Sequence, residues 1–224
     1  MAPARRFKST ADYATAELQQ LILRGVLRPG EKVDQIEIAA QLDVSRHPVR
    51  QAIERLAERG FIHLNPHRSA VVAEISIADM DELYRARNLM EGWAAREAWP
   101  RFTPTLIDEI RRLHTVLSRT DPGDNLDDYM VANRDFHLAF YQPCANRHMM
   151  RSIVTLFDLS ERYQRTALHY ESRHKRSKRE HERMVRALED GDCDALISAI
   201  KAHNSGSQAT VRVHIKAEVQ RVDA

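Results

Sequence analysis

Apolar residues recur along this chain at helical spacing, interrupted once by a short extended stretch, and that interruption divides it. Ala14, Leu18, Leu21 and Ile22 form one face of a first helix, and Gly25 is placed to end it in the left-handed conformation. Arg28-Pro29-Gly30 makes a tight turn, and Ile36, Ala39 and Ala40 give a second, short helix. Val49, Ala52, Ile53 and Leu56 fall at i, i+3, i+4 and i+7, the buried stripe of a third. Ser45 is positioned to cap that helix by accepting a backbone N–H bond. Pro48 lies in its first turn, where a missing N–H costs nothing. Phe61–Leu64, the turn Asn65–Arg68 and Ala70–Val72 then read as a β-hairpin. Three short helices and a hairpin predict a winged helix-turn-helix over residues 1–75.

From residue 76 onward, helical periodicity takes over. The spacing predicts helices over 77–98, 103–119, 125–143, 146–169, 173–190 and 193–219, with boundaries good to roughly ±3 residues. Pro100, Pro104, the turn Asp121-Pro122-Gly123-Asp124, Pro143 and Gly191 punctuate them. Short connections favour antiparallel neighbours, so residues 76–224 read as an all-α antiparallel helical bundle. The predicted fold class is mainly α: a winged helix-turn-helix followed by that bundle.

Charge adds one asymmetry. Lys plus Arg is 34 and Asp plus Glu is 32, but residues 1–70 hold eleven basic and eight acidic side chains. That segment is therefore +3 and the remainder, at 23 against 24, is −1. A basic first domain suits DNA, although an ordinary solvated surface gives the same imbalance. Arg46 and Arg50 share a face of the third helix near its start, apart from the buried stripe, as reading guanine edges in a major groove requires. His47 stands beside them, Ser45 can position a phosphate, and Arg28 is a further DNA candidate.

No stretch approaches about 18 consecutive apolar residues, and the N-terminus lacks the apolar core of a signal peptide. Cys144 and Cys193 form no C-x-x-C pair and read as free thiols of a reducing cytoplasm. No membrane partner is expected.

The bundle's inward faces carry unexpected polar residues. Leu126, Tyr129, Met130, Phe136, Phe140 and Cys144 form one stripe, with Asn133 and His137 in its middle, one turn apart. Ser177, His181, Met184, Val185 and Leu188 share a later face, and Leu196, Ala199, Ile200, His203 and Thr210 a third. Three histidines, each central to an inward face, can meet in the core, where neutral imidazoles bind zinc and similar ions. A hydrogen-bonded core histidine is the competing reading of each, and spacing alone leaves both open. In the first bundle helix Arg87 and Glu91 interrupt the apolar face. They read either as an i,i+4 brace or as an arginine reaching a ligand carboxylate. His214 is a further inward candidate. His148, His169, His174 and the run Arg173–Arg179 read as solvated surface.

Two stretches carry a family resemblance. Gly25-Val26-Leu27-Arg28-Pro29-Gly30, Ala39-Ala40-Gln41-Leu42-Asp43-Val44-Ser45-Arg46, Pro48-Val49-Arg50 and Leu56-Ala57-Glu58-Arg59-Gly60-Phe61 resemble the GntR family of bacterial transcription regulators. Asp43 stands where a turn glycine is common, and Asp tolerates the left-handed conformation. Ser69 stands where the wing tip usually has glycine, which leaves wing contacts to Arg68 or His67. Asn133-Arg134-Asp135-Phe136-His137, Asn146, Glu180-His181-Glu182-Arg183, the segment Ala187–Asp192 and His203 resemble the FCD effector domain of the family's FadR branch.

The resemblance implies a homodimer on operator DNA and a small carboxylate effector that relieves repression. It also implies a divalent metal, zinc first with nickel or manganese as alternatives, held at Asn133, His137, His181 and His203. Those four residues and Arg87 would then form the effector site. Asn133 replaces the family's aspartate, which lowers metal affinity and makes the loaded site more attractive to anions. The alternative is a metal-dependent hydrolase built on the three histidines. Against it, the chain has no H-E-x-x-H, no G-x-S-x-G and no phosphate-binding glycine loop.

Overall fold

The computed structural model describes residues 7–65, 69–167 and 171–222. It divides into two compact units, Met1–Ile75 and Ser76–Ala224.

The first unit runs α1 (Thr10–Leu23), α2 (Gln35–Gln41), α3 (Arg46–Glu58), β1 (Ile62–Leu64) and β2 (Ala70–Val72). Ser9 caps α1 by accepting from Asp12 N at 3.1 Å, and Gly25, at φ 71°, ends the turn beyond it. Asp34 caps α2 through one carboxylate oxygen, 2.7 Å from Ile36 N and 3.3 Å from Glu37 N. That start sets the phase of α2, so Ile38 and Ala39 are buried while Ile36 is 56 % exposed. The expected Ile36–Ala39–Ala40 face is therefore corrected: over two turns, apolar spacing fits more than one phase, and the cap selects it. The strands pair antiparallel with Ile62 opposite Val72, His63 opposite Val71 and Leu64 opposite Ala70. Leu18, Val49, Ala52, Ile53, Leu56, Phe61 and Ile62 form the core between α1, α3 and the hairpin.

The second unit is helical: α4 (Ile77–Ala98), α5 (Pro104–Arg119), α6 (Leu126–Ala139), α7 (Arg147–Ala167), α8 (Glu171–Glu189) and α9 (Cys193–Val222). Ser76, Thr103 and Asn125 cap α4, α5 and α6 through side-chain oxygens. α6 ends at Ala139, a turn earlier than its spacing predicts, and the chain passes through a 3₁₀ turn, Gln142–Cys144. Pro143 is the reason. Its ring would clash with the carbonyl of Ala139 in a continued α-helix, and it has no N–H to offer. α9 packs against α4, α7 and α8, and α5 packs against α6 and α8. Phe136, Phe140, Tyr141, Ile153, Met184, Leu196 and Ile200 fill the centre.

A buried ion pair crosses this core. Arg87 and Glu91 are each 1 % exposed, with Nε 2.6 Å from Oε1. Arg87 also donates to Ser160 Oγ at 2.9 Å and lies over the Phe157 ring at 4.7 Å. The second Glu91 oxygen accepts from Tyr141 Oη at 2.9 Å and Asn204 Nδ2 at 3.0 Å. A charge taken out of water is tolerated only when such partners surround it. Arg87→Met should lower unfolding stability by about 3–5 kcal/mol, because Glu91 is left charged and half-partnered. Adding Glu91→Gln should recover much of that, since an amide oxygen still accepts from Tyr141 and Asn204 without a buried charge. Denaturant titration of both variants checks this, and a double variant no more stable than the single one would refute the assignment.

Candidate functional site

The three inward histidines converge. His137 on α6, His181 on α8 and His203 on α9 are all buried, and each presents a nitrogen within 4.8 Å of the others. Ring centroids lie 5.0 Å apart for His137–His181 and 4.7 Å for both His137–His203 and His181–His203. Helical spacing explains the placement. Asn133 and Phe136 fix the inward phase of α6, Ser177 and Met184 that of α8, and Ile200 and Ser207 that of α9. Asn133, one turn before His137, is also buried.

The cluster's nitrogens are short of partners. Both nitrogens of His137 and Nε2 of His181 are buried with no hydrogen bond. Each such group costs roughly 1–3 kcal/mol, and orphaned donors facing one another are what an ion-binding site requires. Burial, reinforced by the neighbouring His203 ring and the positive charge of Arg87 and Arg173, pushes His137 well below the ordinary histidine range. Burial and the same kind of neighbours do so for His181. Both rings are therefore neutral at pH 7, the protonation state a metal needs.

His203 differs because it has a partner. Its Nδ1 lies 2.9 Å from Glu180 Oε2. Burial pulls His203 down while the Glu180 hydrogen bond opposes it, and the net direction is downward. Burial raises the Glu180 carboxyl, but His203 and Arg173 outweigh it and hold it at about 2. An ionised carboxylate only accepts, so Nδ1 carries the proton and Nε2 keeps the lone pair. Arg173 Nη1 reaches Glu180 Oε2 at 2.9 Å and Arg176 Nε reaches Oε1 at 2.8 Å. The other end of Arg173 donates to Ser207 Oγ at 2.6 Å. The three neutral imidazoles, with one carboxylate orienting His203 from behind, fit a divalent ion of borderline softness.

Beside the cluster lies a cavity walled by Tyr129, Asn133, Gln164, Arg173, Ser177, His203 and Ser207. It measures about 20 Å³ at the centres of a water-sized sphere, room for one water or ion and little more. Arg87 is not among its lining residues and stays in the Glu91 pair.

The solvated-surface expectation for Arg173–Arg179 is corrected. Arg173, His174 and Ser177 are buried while Lys175 and Arg176 face outward. Arg173 stands four residues before Ser177, on the same face as His181, so helical spacing carried the signal and the density of positive charge masked it. His174, 7 % exposed, meets the Tyr129 ring edge-on at 5.3 Å, and burial lowers its pKa. His169 lies outside the described residues.

In the first unit, Ser45, Arg46, His47 and Arg50 are exposed at the start of α3, and Arg28 is exposed in the turn after α1. Arg50 lies 3.7 Å from Glu54, with both side chains open to solvent, a contact worth little. Asp43 adopts φ 53° in the turn before α3, as its tolerance of that region predicts. Ser45 occupies the N-cap position but makes no side-chain cap bond, which corrects that expectation. Arg68 and His67 lie outside the described residues.

The chain matches the FCD domain over residues 82–206 and the gntR family of bacterial regulatory proteins over residues 10–72. It is 26 % identical over 196 residues to the HTH-type transcriptional repressor RspR of Escherichia coli K12, covering 87 % of this chain and 86 % of that one. It is 27 % identical to the Nta operon transcriptional regulator of Aminobacter aminovorans, covering 58 % of this chain and 61 % of that one. The fold is shared with the solved structure of E. coli McbR/YncC, at TM-score 0.80 and 21 % identity over 92 % of this chain and 98 % of that one.

The burial of these histidines has a pH signature. The unfolded chain takes up protons near pH 6.5, whereas the folded His137 and His181 take them up only at lower pH. Stability is therefore complete above the unfolded value and falls as pH drops through it. In metal-free protein, His181→Phe should flatten the slope just below pH 6.5 by up to about 1.4 kcal/mol per pH unit. Urea titration at several pH values reads it, and identical slopes in the two proteins would mean His181 is not buried as described.

Proposed function

The chain belongs to the bacterial regulatory proteins that join a gntR-type DNA-binding domain to an FCD domain, transcriptional regulators rather than enzymes, and from that premise we propose a metabolite-responsive repressor. Residues 1–75 bind operator DNA and residues 76–224 form the effector-binding and dimerisation domain. Two copies bind a partly palindromic site in the cytoplasm. Arg46 and Arg50 read bases, His47 lies alongside, and Ser45, Arg28 and Arg68 contact the sugar–phosphate backbone. The repressor sign is favoured by RspR, whose name describes a repressor. Among the described residues, no helix is long and apolar enough to cross a membrane.

The observation that carries the effector reading is the buried histidine cluster, in which His137 and His181 have unpartnered nitrogens and His203 borders a cavity beside Arg173. His137, His181, His203 and Asn133 would hold a divalent ion, zinc first. Bound there, the ion supplies positive charge that draws in a small carboxylate. The cavity is too small for an organic acid as it stands, so admission requires side chains to move. Repression is relieved if the acid prefers the arrangement that binds DNA less well. The hydrolase alternative is not supported: Glu180, the carboxylate against His203, is held at about 2 and has both oxygens engaged by Arg173 and Arg176, which makes it a weak base.

On an operator selected from random duplexes, Arg46→Ala or Arg50→Ala should cost roughly 1–3 kcal/mol of specific affinity. Non-specific binding should weaken far less. Fluorescence anisotropy at fixed salt measures both, and full retention of operator preference by both variants would overturn the recognition-helix assignment. In the same assay, small carboxylates added with zinc should release the wild-type protein from the operator. His137→Ala or His181→Ala should abolish that release while leaving affinity without acid unchanged.

A further inference from the structure

The outer face of α8 gathers positive charge into a row. Lys175, Arg176, Arg179, Arg183 and Arg186 are all exposed, and between Lys175 and Arg186 the one exposed carboxylate is Glu182. Residues 71–224 hold 23 basic and 24 acidic side chains, so this face is a local excess and not the general character of the unit. Helical spacing puts Lys175, Arg179, Arg183 and Arg186 on one side of α8, opposite the buried Met184 and Leu188. Several exposed arginines elsewhere in the unit are paired: Arg96 with Asp194 at 2.5 Å, Arg111 with Asp108 at 2.6 Å and Glu189 at 2.5 Å, and Arg112 with Glu109 at 2.6 Å. Arg176 is tied to Glu180. Arg179, Arg183 and Arg186 form no ion pair among the described residues. Like charges three and four residues apart repel along a helix, so the row opposes α8 and does nothing for the fold. Negative charge from outside would match it.

We propose that the outer face of α8 is a second, sequence-independent DNA surface. It takes the phosphates of duplex flanking the operator through Arg179, Arg183 and Arg186. The row spans about 17 Å at roughly 1.5 Å per residue, and duplex DNA presents a phosphate charge every 1.7 Å or so along its axis. A straight row of cations therefore meets a straight array of anions, and guanidinium groups bond phosphate bidentately. Once the first unit holds an operator, the same duplex stays near the helical unit at high effective concentration, so weak contacts count. Such contacts add affinity without reading bases. The inference rests on residues 1–75 binding the operator.

The test compares two duplexes by fluorescence anisotropy over a salt series, with the full-length protein and an operator selected from random duplexes. One duplex is trimmed to the operator, and the other carries two further helical turns of mixed sequence on each side. The wild-type protein should bind the flanked duplex more tightly. Its plot of log affinity against log salt should be steeper there by at least about 2, since each neutralised phosphate contributes roughly 0.9. Arg179→Gln, Arg183→Gln and Arg186→Gln made together should remove that difference and leave the trimmed duplex bound as before. Lysine at the same three positions should keep most of it, because the charge is kept. Equal wild-type slopes on the two duplexes would overturn the proposal. So would a glutamine variant that keeps the flank effect or weakens both duplexes equally. No flank effect, combined with polyglutamate binding that the glutamine variant loses, would assign the face to an acidic protein chain and overturn the DNA surface. Failure of the wild type to select any operator would overturn the reading of residues 1–75 and this surface with it.

Discussion

Everything in the helical unit is organised around a place where nitrogen atoms are buried without partners. His137 and His181 together leave three ring nitrogens unbonded, and such groups destabilise a fold unless something is obtained in return. The surroundings show how the protein tolerates them. The rings pack against aromatic faces, with Phe136 5.3 Å from His137 and 5.0 Å from His181, and Phe157 5.6 Å from His137. These contacts retain dispersion energy while offering no hydrogen bond. Burial then keeps the rings neutral. A core of this kind is stable enough to fold and still electronically incomplete.

Charge is arranged in layers outward from that centre. Neutral rings come first, then Glu180 against His203, then Arg173 and Arg176 against Glu180. A second network runs through the neighbouring residue of α9: Asn204 donates to Glu91, which pairs with Arg87 on α4. His203 and Asn204 are adjacent in sequence and serve the two networks separately. Any shift of α9 that repositions His203 therefore also strains a hydrogen bond to α4. This is a physical link between the cluster and the helix that begins the unit, made of contacts rather than proximity.

Much of this was legible in the sequence, and each failure has a physical cause. The inward phases of α6, α8 and α9 followed from apolar spacing, which allowed His137, His181 and His203 to meet, but only the structure brings them together. Spacing reports which face a residue occupies but not what its side chain bonds to. Glu180 was therefore visible only as part of a motif and not as the partner of His203. Arg173 and His174 were hidden by a run of basic residues whose average character is exposed, although individual members alternate between core and solvent. Ile36 failed for a different reason, since two turns of helix do not determine a phase until the Asp34 cap fixes it. The end of α6 needed the steric consequence of Pro143 rather than its mere presence.

The size of the cavity ties the layers to any response. Space for about one water means that an acid cannot enter without displacing part of the wall. Arg173 belongs to that wall, and its two ends are tied to Glu180 and Ser207. Moving it loosens the carboxylate that orients His203. Moving Asn133 instead disturbs the helical turn that carries His137. Displacement of Arg173 reaches His203 through Glu180, a contact already present. Packed interiors of this density shift between arrangements rather than deforming smoothly, so a displacement of Arg173 is passed at once to Glu180 on α8 and to Ser207 on α9.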